Sequence, residues 1–227
     1  LFIPRLGIIN ENHLPTTFDG NDRPLTERLL IPSVWREMGA CVYGTARGWG
    51  GLNWSLGIVN GLSSAHFENG SGIRGGRAEG SGASAANLAI TGSLLEYAGA
   101  FRIQASGYYG GSAGLAPRAA DSLQLASGPF GTPIGMAEAD AQYNARWFSA
   151  RALIVGIRVP EADAINRAYA NNTPEAMAGG YVEAAVDLME VAHRDAQREL
   201  RVFARAEHLD LEASLPSNGI STGTNVI

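Results

Sequence analysis

The chain has no lysine; all 17 of its basic residues are arginine. Against 22 acidic residues these leave a net charge of −5 and no basic stripe, so nucleic acid is excluded as an expected partner. One cysteine, Cys41, stands among 227 residues, which excludes an internal disulfide and a cysteine-based metal centre. No apolar run reaches the roughly 18 residues a spanning helix needs, a test that is silent on spanning strands because their apolar residues alternate. Charged residues, at 17%, are too few for a disordered chain. The opening LFIPRLGIIN has no charged, apolar and small-residue succession of an export signal, and STGTNVI ends without a closing strand. The expectation is a single domain over 1–227, truncated at both ends.

What is present is a period of two. Leu52, Trp54, Leu56 and Ile58 alternate with Asn53, Ser55 and Gly57. Phe101, Ile103, Ala105 and Tyr109 oppose Arg102, Gln104 and Ser106. The clearest case sets Ala137, Ala139, Ala141, Tyr143, Ala145 and Trp147 against Glu138, Asp140, Gln142, Asn144 and Arg146. Leu200, Val202, Ala204 and Ala206 face away from Glu199, Arg201, Arg205 and Glu207, with Phe203 interrupting the polar side. Weaker alternation covers 35–47, 87–97 and 180–189, while 147–159 is apolar on both faces apart from Arg151 and Arg158. With the opening segment before Asn10 this makes about nine strands.

Tight links near 48–50, 98–100, 144–146 and 191–197 alternate with long ones at about 11–34, 63–85, 111–136 and 160–178. Short and long connections therefore fall at opposite ends of one sheet, the layout of an antiparallel up-and-down transmembrane β-barrel. The apolar face is rich in alanine and poor in leucine, which suits a lipid-facing wall better than a packed core. Trp35, Trp49, Tyr108, Tyr109 and Trp147 fall near strand ends, where interface girdles sit.

On that reading the polar face lines a lumen. Its charged residues are Glu37, Arg47, Arg102, Glu138, Asp140, Arg151, Glu183, Asp187, Glu199, Arg201, Arg205 and Glu207. The first long loop concentrates Glu11, His13, Asp19, Asp22, Arg23, Glu27, Arg28 and Arg36, and is the candidate constriction loop, since charged loops folded into a pore set ion preference. A solvated external loop or a structural plug is the plainer alternative.

The segment GIINENHLPTTFDGNDRPLTERLLIPSVWREMGA, with VNGL, SGIRGGR and GGYVEAAVDL further on, resembles the barrel of bacterial phosphate- and polyphosphate-selective porin relatives, over most of the chain. The resemblance implies an outer-membrane location, passive permeation and a homotrimer. Selective members line the pore with lysines and arginines. This chain departs from that lining, so phosphate selectivity is not implied.

Other motifs carry less. ENGSGIRGGRAEGSGASA lacks the lysine and the strand-to-helix context of a phosphate-binding loop and reads as an external loop, with Arg74 and Arg77 set to touch headgroups or a neighbouring loop. PEADAINRAYANNTPEAMAGG contains a short helix. His13, His66, His193 and His208 form no ligand pair, so no metal or cofactor is expected. No G-x-S-x-G or triad order appears, so no enzyme is expected. The expected function is diffusion of small hydrophilic solutes or ions through a charged lumen, with outer-membrane lipid as the other partner and a mild cation preference from the acidic balance. The rivals are a plugged structural or docking barrel and a soluble β-rich binding protein.

Overall fold

The structure is a computed structural model that describes residues 1–10, 13–49, 51–68, 70–192, 198–223 and 225–226. One antiparallel sheet organises it. Its strands run in chain order: β1 Gly39–Ala46, β2 Leu52–Asn60, β3 Leu88–Ala98, β4 Phe101–Gly110, β5 Ile134–Asn144, β6 Phe148–Arg158, β7 Ala176–Asp187 and β8 Arg201–Ser214, with the short β9 Asn225–Val226 on β8. Every neighbouring pair is antiparallel, from Gly39 opposite Val59 to Asp210 opposite Asn225. The sheet is open, with β1 and β9 at its edges.

The short links are 47–51, 99–100 and 145–147, while the link from β7 to β8 spans 188–200 and begins with α3 (Leu188–Val191). Gly99 supplies the positive φ of +62° that its two-residue turn needs. Long links of 61–87, 111–133 and 159–175 leave from the other end, and the latter two hold α1 (Pro117–Leu123) and α2 (Ala162–Tyr169). Asp187 caps α3 by accepting from the Met189 and Glu190 amides.

The opening segment is not the first strand. Only Phe2 forms a bridge, to Glu37, because Pro4 removes a donor and Gly7, at φ +83°, turns the chain away from extended geometry. Residues 1–10 and 13–38 instead run across the inner face of the sheet. The ninth strand is β9, and β8 extends to Ser214, well past the alternation that ends at Glu207 in sequence.

The two faces are inverted relative to a soluble sheet. Outward side chains are mostly apolar and exposed, among them Val42, Trp54, Leu56, Ile58, Ile90, Leu94, Ile103, Ile154, Val182 and Val202, with Glu96, Arg158 and His208 as ionisable exceptions on the same face. Inward positions of the same strands are polar and buried: Ser55, Thr91, Ser93, Gln104, Ser106, Glu138, Asp140 and Glu183. Ser55 and Ser93 share a hydrogen bond of 2.7 Å across β2 and β3.

Toward the long-loop end the inner face becomes apolar and meets a packed core. Met136, Leu153, Val155, Ile157, Met177, Leu209 and Leu211 from the strands join Leu6, Leu30, Ile31 and Trp35 from the first segment and Leu62, Phe67, Ile73, Leu125 and Ile165 from the loops. Trp35 packs on Tyr108 with ring centroids 4.8 Å apart. This explains why 147–159 is apolar on both faces: one side of that half of β6 faces outward and the other faces the core.

Candidate inner-face site

The polar half of the inner face lies toward the short turns, and the loop from the first segment descends onto it. Alternation on β6, β7 and β8 places Arg151, Glu183 and Arg205 side by side, since Arg151 is opposite Glu183 and Glu183 opposite Arg205. The Glu183 carboxylate sits between the two guanidinium groups and pairs with both. Each arginine also holds the descending backbone. Arg151 Nη1 donates to the Thr17 carbonyl at 2.9 Å, Arg205 Nη2 to the Asp19 carbonyl at 2.8 Å and Arg205 Nη1 to the Asp22 carbonyl at 3.2 Å. Arg201 meets Asp19 as a fork, Nε to Oδ1 at 2.9 Å and Nη2 to Oδ2 at 3.3 Å, and donates to Ser149 Oγ at 2.7 Å.

Phe203, the interruption in the polar face of β8, has a local reason. Its ring meets Gly20, where a Cβ would stand 2.8 Å from Cζ and where φ is +88°. Asp19 to Gly20 is thus the point at which the loop presses on the wall. Beside it a cavity of about 410 Å³ opens, lined by Thr16, Asp19, Gln142, Ser149, Glu199 and Arg201 among others.

Deeper on the same face Glu27 is fully buried. Its Oε1 accepts from the Tyr181 hydroxyl and its Oε2 from the Ile9 amide, both at 2.6 Å. Burial pushes the Glu27 carboxyl up to about 7, against the opposing effect of those two donors and the charge of Arg151. Glu207 receives the Thr26 amide at 3.2 Å. On β4 and β5, Arg102 pairs with Asp140 at 2.7 Å and donates to Gln104, which in turn donates to the Arg5 carbonyl.

Glu37 lies apart, under the long loops. It accepts from Trp35 Nε1, Asn60 Nδ2 and the Ala78 amide, and burial is the largest influence, raising its carboxyl above the ordinary range. It joins the first segment, the end of β2 and the 61–87 loop. Arg77 and Arg74 strengthen that joint by donating to the Ser33 and Arg28 carbonyls, so both arginines contact the first segment.

Of the residues singled out as lining the polar face, Arg102, Glu138, Asp140, Arg151, Glu183, Arg201, Arg205 and Glu207 share the inner face, and Glu199 borders its cavity. Asp187 is spent on capping α3, and Arg47 sits exposed in the turn after β1. In the first loop, Asp19 and Glu27 meet the wall, while His13 and Arg23 brace the loop internally, Arg23 donating to the His13 carbonyl. Arg28 pairs with Asp22 at the surface, and Arg36 is exposed. Glu11 and His193 lie outside the described residues. Tyr181, Gln104, Asn60 and Asn10, whose Oδ1 accepts the Trp35 amide, carry no sequence signal that separates them from ordinary strand and loop residues.

No family model matches the chain, and no solved structure matches it. An uncharacterized protein of Aquifex aeolicus (strain VF5) is 28% identical over 225 residues, which cover 96% of this chain and 49% of that protein. The chain thus spans about half the length of the curated relative it matches.

Proposed function

We propose that this chain is part of the wall of an outer-membrane β-barrel, a porin-like channel for passive diffusion of small hydrophilic solutes or ions, with residues 13–31 folded inward as its constriction. The observation that carries the reading is the orientation of the sheet: a mostly apolar exposed outer face, and an inner face that is polar toward the short turns. On β6 the outward row runs from Phe148 through Ala150, Ala152, Ile154 and Gly156 to Arg158. The apolar part of that row, from Phe148 to Gly156, is ~20 Å tall at ~3.3 Å per residue and a tilt of ~40°, with Arg158 at its end, close to the ~25 Å apolar belt of such barrels. Aromatic rings cluster at both borders: Phe101, Tyr143, Phe148 and Trp147 at the short turns, Tyr109 and Phe130 at the long loops. The matched relative is about twice as long, which leaves chain for the strands that close an open sheet.

Within that barrel the arginine and carboxylate rows of β6 to β8 set up a transverse field beside the 410 Å³ cavity, suited to orienting dipolar solutes. A second reading, a non-conducting structural or docking barrel, is favoured by the apolar core that fills the inner face at the long-loop end. Planar-bilayer conductance of the full-length parent protein decides between them. Stable channels whose reversal potential under a salt gradient moves in Arg201→Ala and in opposite sense in Glu199→Gln support permeation. A folded, detergent-dependent but silent protein supports the docking reading.

A further inference from the structure

Glu138 and Asp140 alternate with alanine on β5 and share its inner face, their Cα atoms ~6.6 Å apart. Both are buried, Glu138 at 4% and Asp140 at 3% exposure. Arg102 pairs with Asp140 Oδ1 at 2.7 Å. Asp140 Oδ2 and both oxygens of Glu138 close no hydrogen bond. Among the described residues no guanidinium pairs with Glu138, since Arg151 and Arg205 are taken up by Glu183. β5 is the fifth of nine strands and is paired on both sides, so these oxygens lie away from either open edge of the sheet.

The two carboxyls are each other's polar neighbours, with the Gly7 amide beside Glu138. Ionised carboxylates accept hydrogen bonds and donate none, so two of them in contact leave these oxygens unmatched. Water satisfies an acceptor but does not cancel a buried, unpaired charge. A proton held between the two turns one carboxyl into a donor to the other and leaves a single negative charge, which Arg102 balances. The first segment turns directly over this pair. At Gly7, where φ is +83°, a Cβ would stand 2.8 Å from Glu27 Oε2, so the Gly7 turn lies against Glu27 as well as Glu138. The charged and titratable groups around the pair are Arg102 on β4, Arg151 on β6, Tyr181 and Glu183 on β7, Glu207 on β8 and Glu27 on the first segment. A second negative charge at the pair therefore meets further carboxyls, while the guanidinium groups nearby are already paired.

We propose that Glu138 and Asp140 share one proton and with it latch the first segment to the wall, so that loss of this proton to solvent at alkaline pH frees the segment. In the channel proposed above the latch holds the constriction in place. It rests on that reading for the constriction, though not for the shared proton.

The test uses the full-length parent protein in detergent, cysteine-free except for a nitroxide-labelled Thr16→Cys, an exposed position of the inward-folded loop. Glu27→Gln in this background removes the buried carboxyl that loses its proton at about pH 7, so the remaining response belongs to the pair. Label mobility should rise between pH 7 and pH 10 and fall again on return. Glu138→Gln sets an N–H donor against Asp140 in place of the proton and should abolish the rise; where it does not fold, Asp140→Asn supplies the donor from the other side. An infrared difference spectrum of the parent between the same pH values should lose a protonated-carboxyl C=O band that Glu138→Gln lacks. Absence of the rise, its persistence undiminished in Glu138→Gln, or a spectrum without that band overturns the latch. A response that EDTA alone produces and calcium reverses places a cation between the carboxylates and overturns the shared proton. Neither readout needs current: a silent protein that shows both keeps the latch and removes the channel, and a conducting protein that shows neither does the opposite.

Discussion

Tyr181 on β7 donates its hydroxyl to Glu27 Oε1 at 2.6 Å, joining the inward-folded segment to the wall by a hydrogen bond between two buried side chains. Glu138 and Asp140 face the same region from β5, Arg151 from β6 and Glu207 from β8. Glu27 keeps its proton to about pH 7 in the folded protein, against 4.5 for an ordinary glutamate. The folded state therefore binds the proton more tightly than the unfolded state. Its contribution is complete below pH 4.5 and is lost as pH rises through 7. A rise of that size corresponds to about 3 kcal/mol. Urea unfolding in detergent at pH 5 and pH 8 should give lower stability at pH 8, and Glu27→Gln should shrink the difference, leaving the share of Glu37, whose carboxyl burial also raises. An equal or larger difference in Glu27→Gln would assign the pH dependence to other groups.

Glu183 bridges Arg151 and Arg205 almost out of contact with solvent. Glu183→Ala leaves two largely buried guanidinium groups facing each other, and a loss of about 3–5 kcal/mol is expected. The Arg205→Ala variant acts on the loop instead, because it removes the donors to the Asp19 and Asp22 carbonyls. Limited digestion with subtilisin should cut within 13–23 faster in Arg205→Ala than in the parent, with the strands still protected. Unchanged cleavage would show that the loop is held elsewhere.

Trp35 is fully buried between the first segment and the long loops, against Tyr108. Truncating it empties the centre of the only large apolar cluster among the described residues, so Trp35→Ala should cost about 3–5 kcal/mol in a denaturant titration. A cost near that of a surface substitution would mean that the loops do not pack as described.

Next to it, Val34 occupies the left-handed region at φ 63°, where a β-branched residue is strained. Val34→Asn relaxes that strain and should raise stability by about 1 kcal/mol, visible as a higher denaturant midpoint. A fall would mean that the valine side chain contributes more by packing than its backbone loses.

Period two made most of the sheet legible. The 137–147 alternation gives β5 and its faces as far as Asn144, because charged and alanine residues separate there, but it runs on through Ala145, Arg146 and Trp147, which form the turn to β6. The opening segment misleads, since its apolar residues read as a strand while Pro4 and Gly7 break the extended path. The core at the long-loop end is illegible for a different reason: Leu6, Trp35, Phe67 and Ile165 come from four separated segments, none apolar enough alone to announce a packed element. Glu27 stands out in sequence as one charge in a charged loop, and only tertiary contacts from Tyr181 and Ile9 distinguish it from exposed Arg36.

The orientation of the sheet is tested most directly by single cysteines in a cysteine-free background of the full-length protein, Cys41→Ser included, reconstituted in lipid. Ala152→Cys and Ile154→Cys point outward, whereas Gln142→Cys and Ser149→Cys border the inner cavity. Spin labels at 152 and 154 should relax with oxygen and resist a water-soluble nickel reagent, and those at 142 and 149 should do the reverse. Equal access of the nickel reagent to both sets would place the apolar face in water and contradict a membrane-spanning wall.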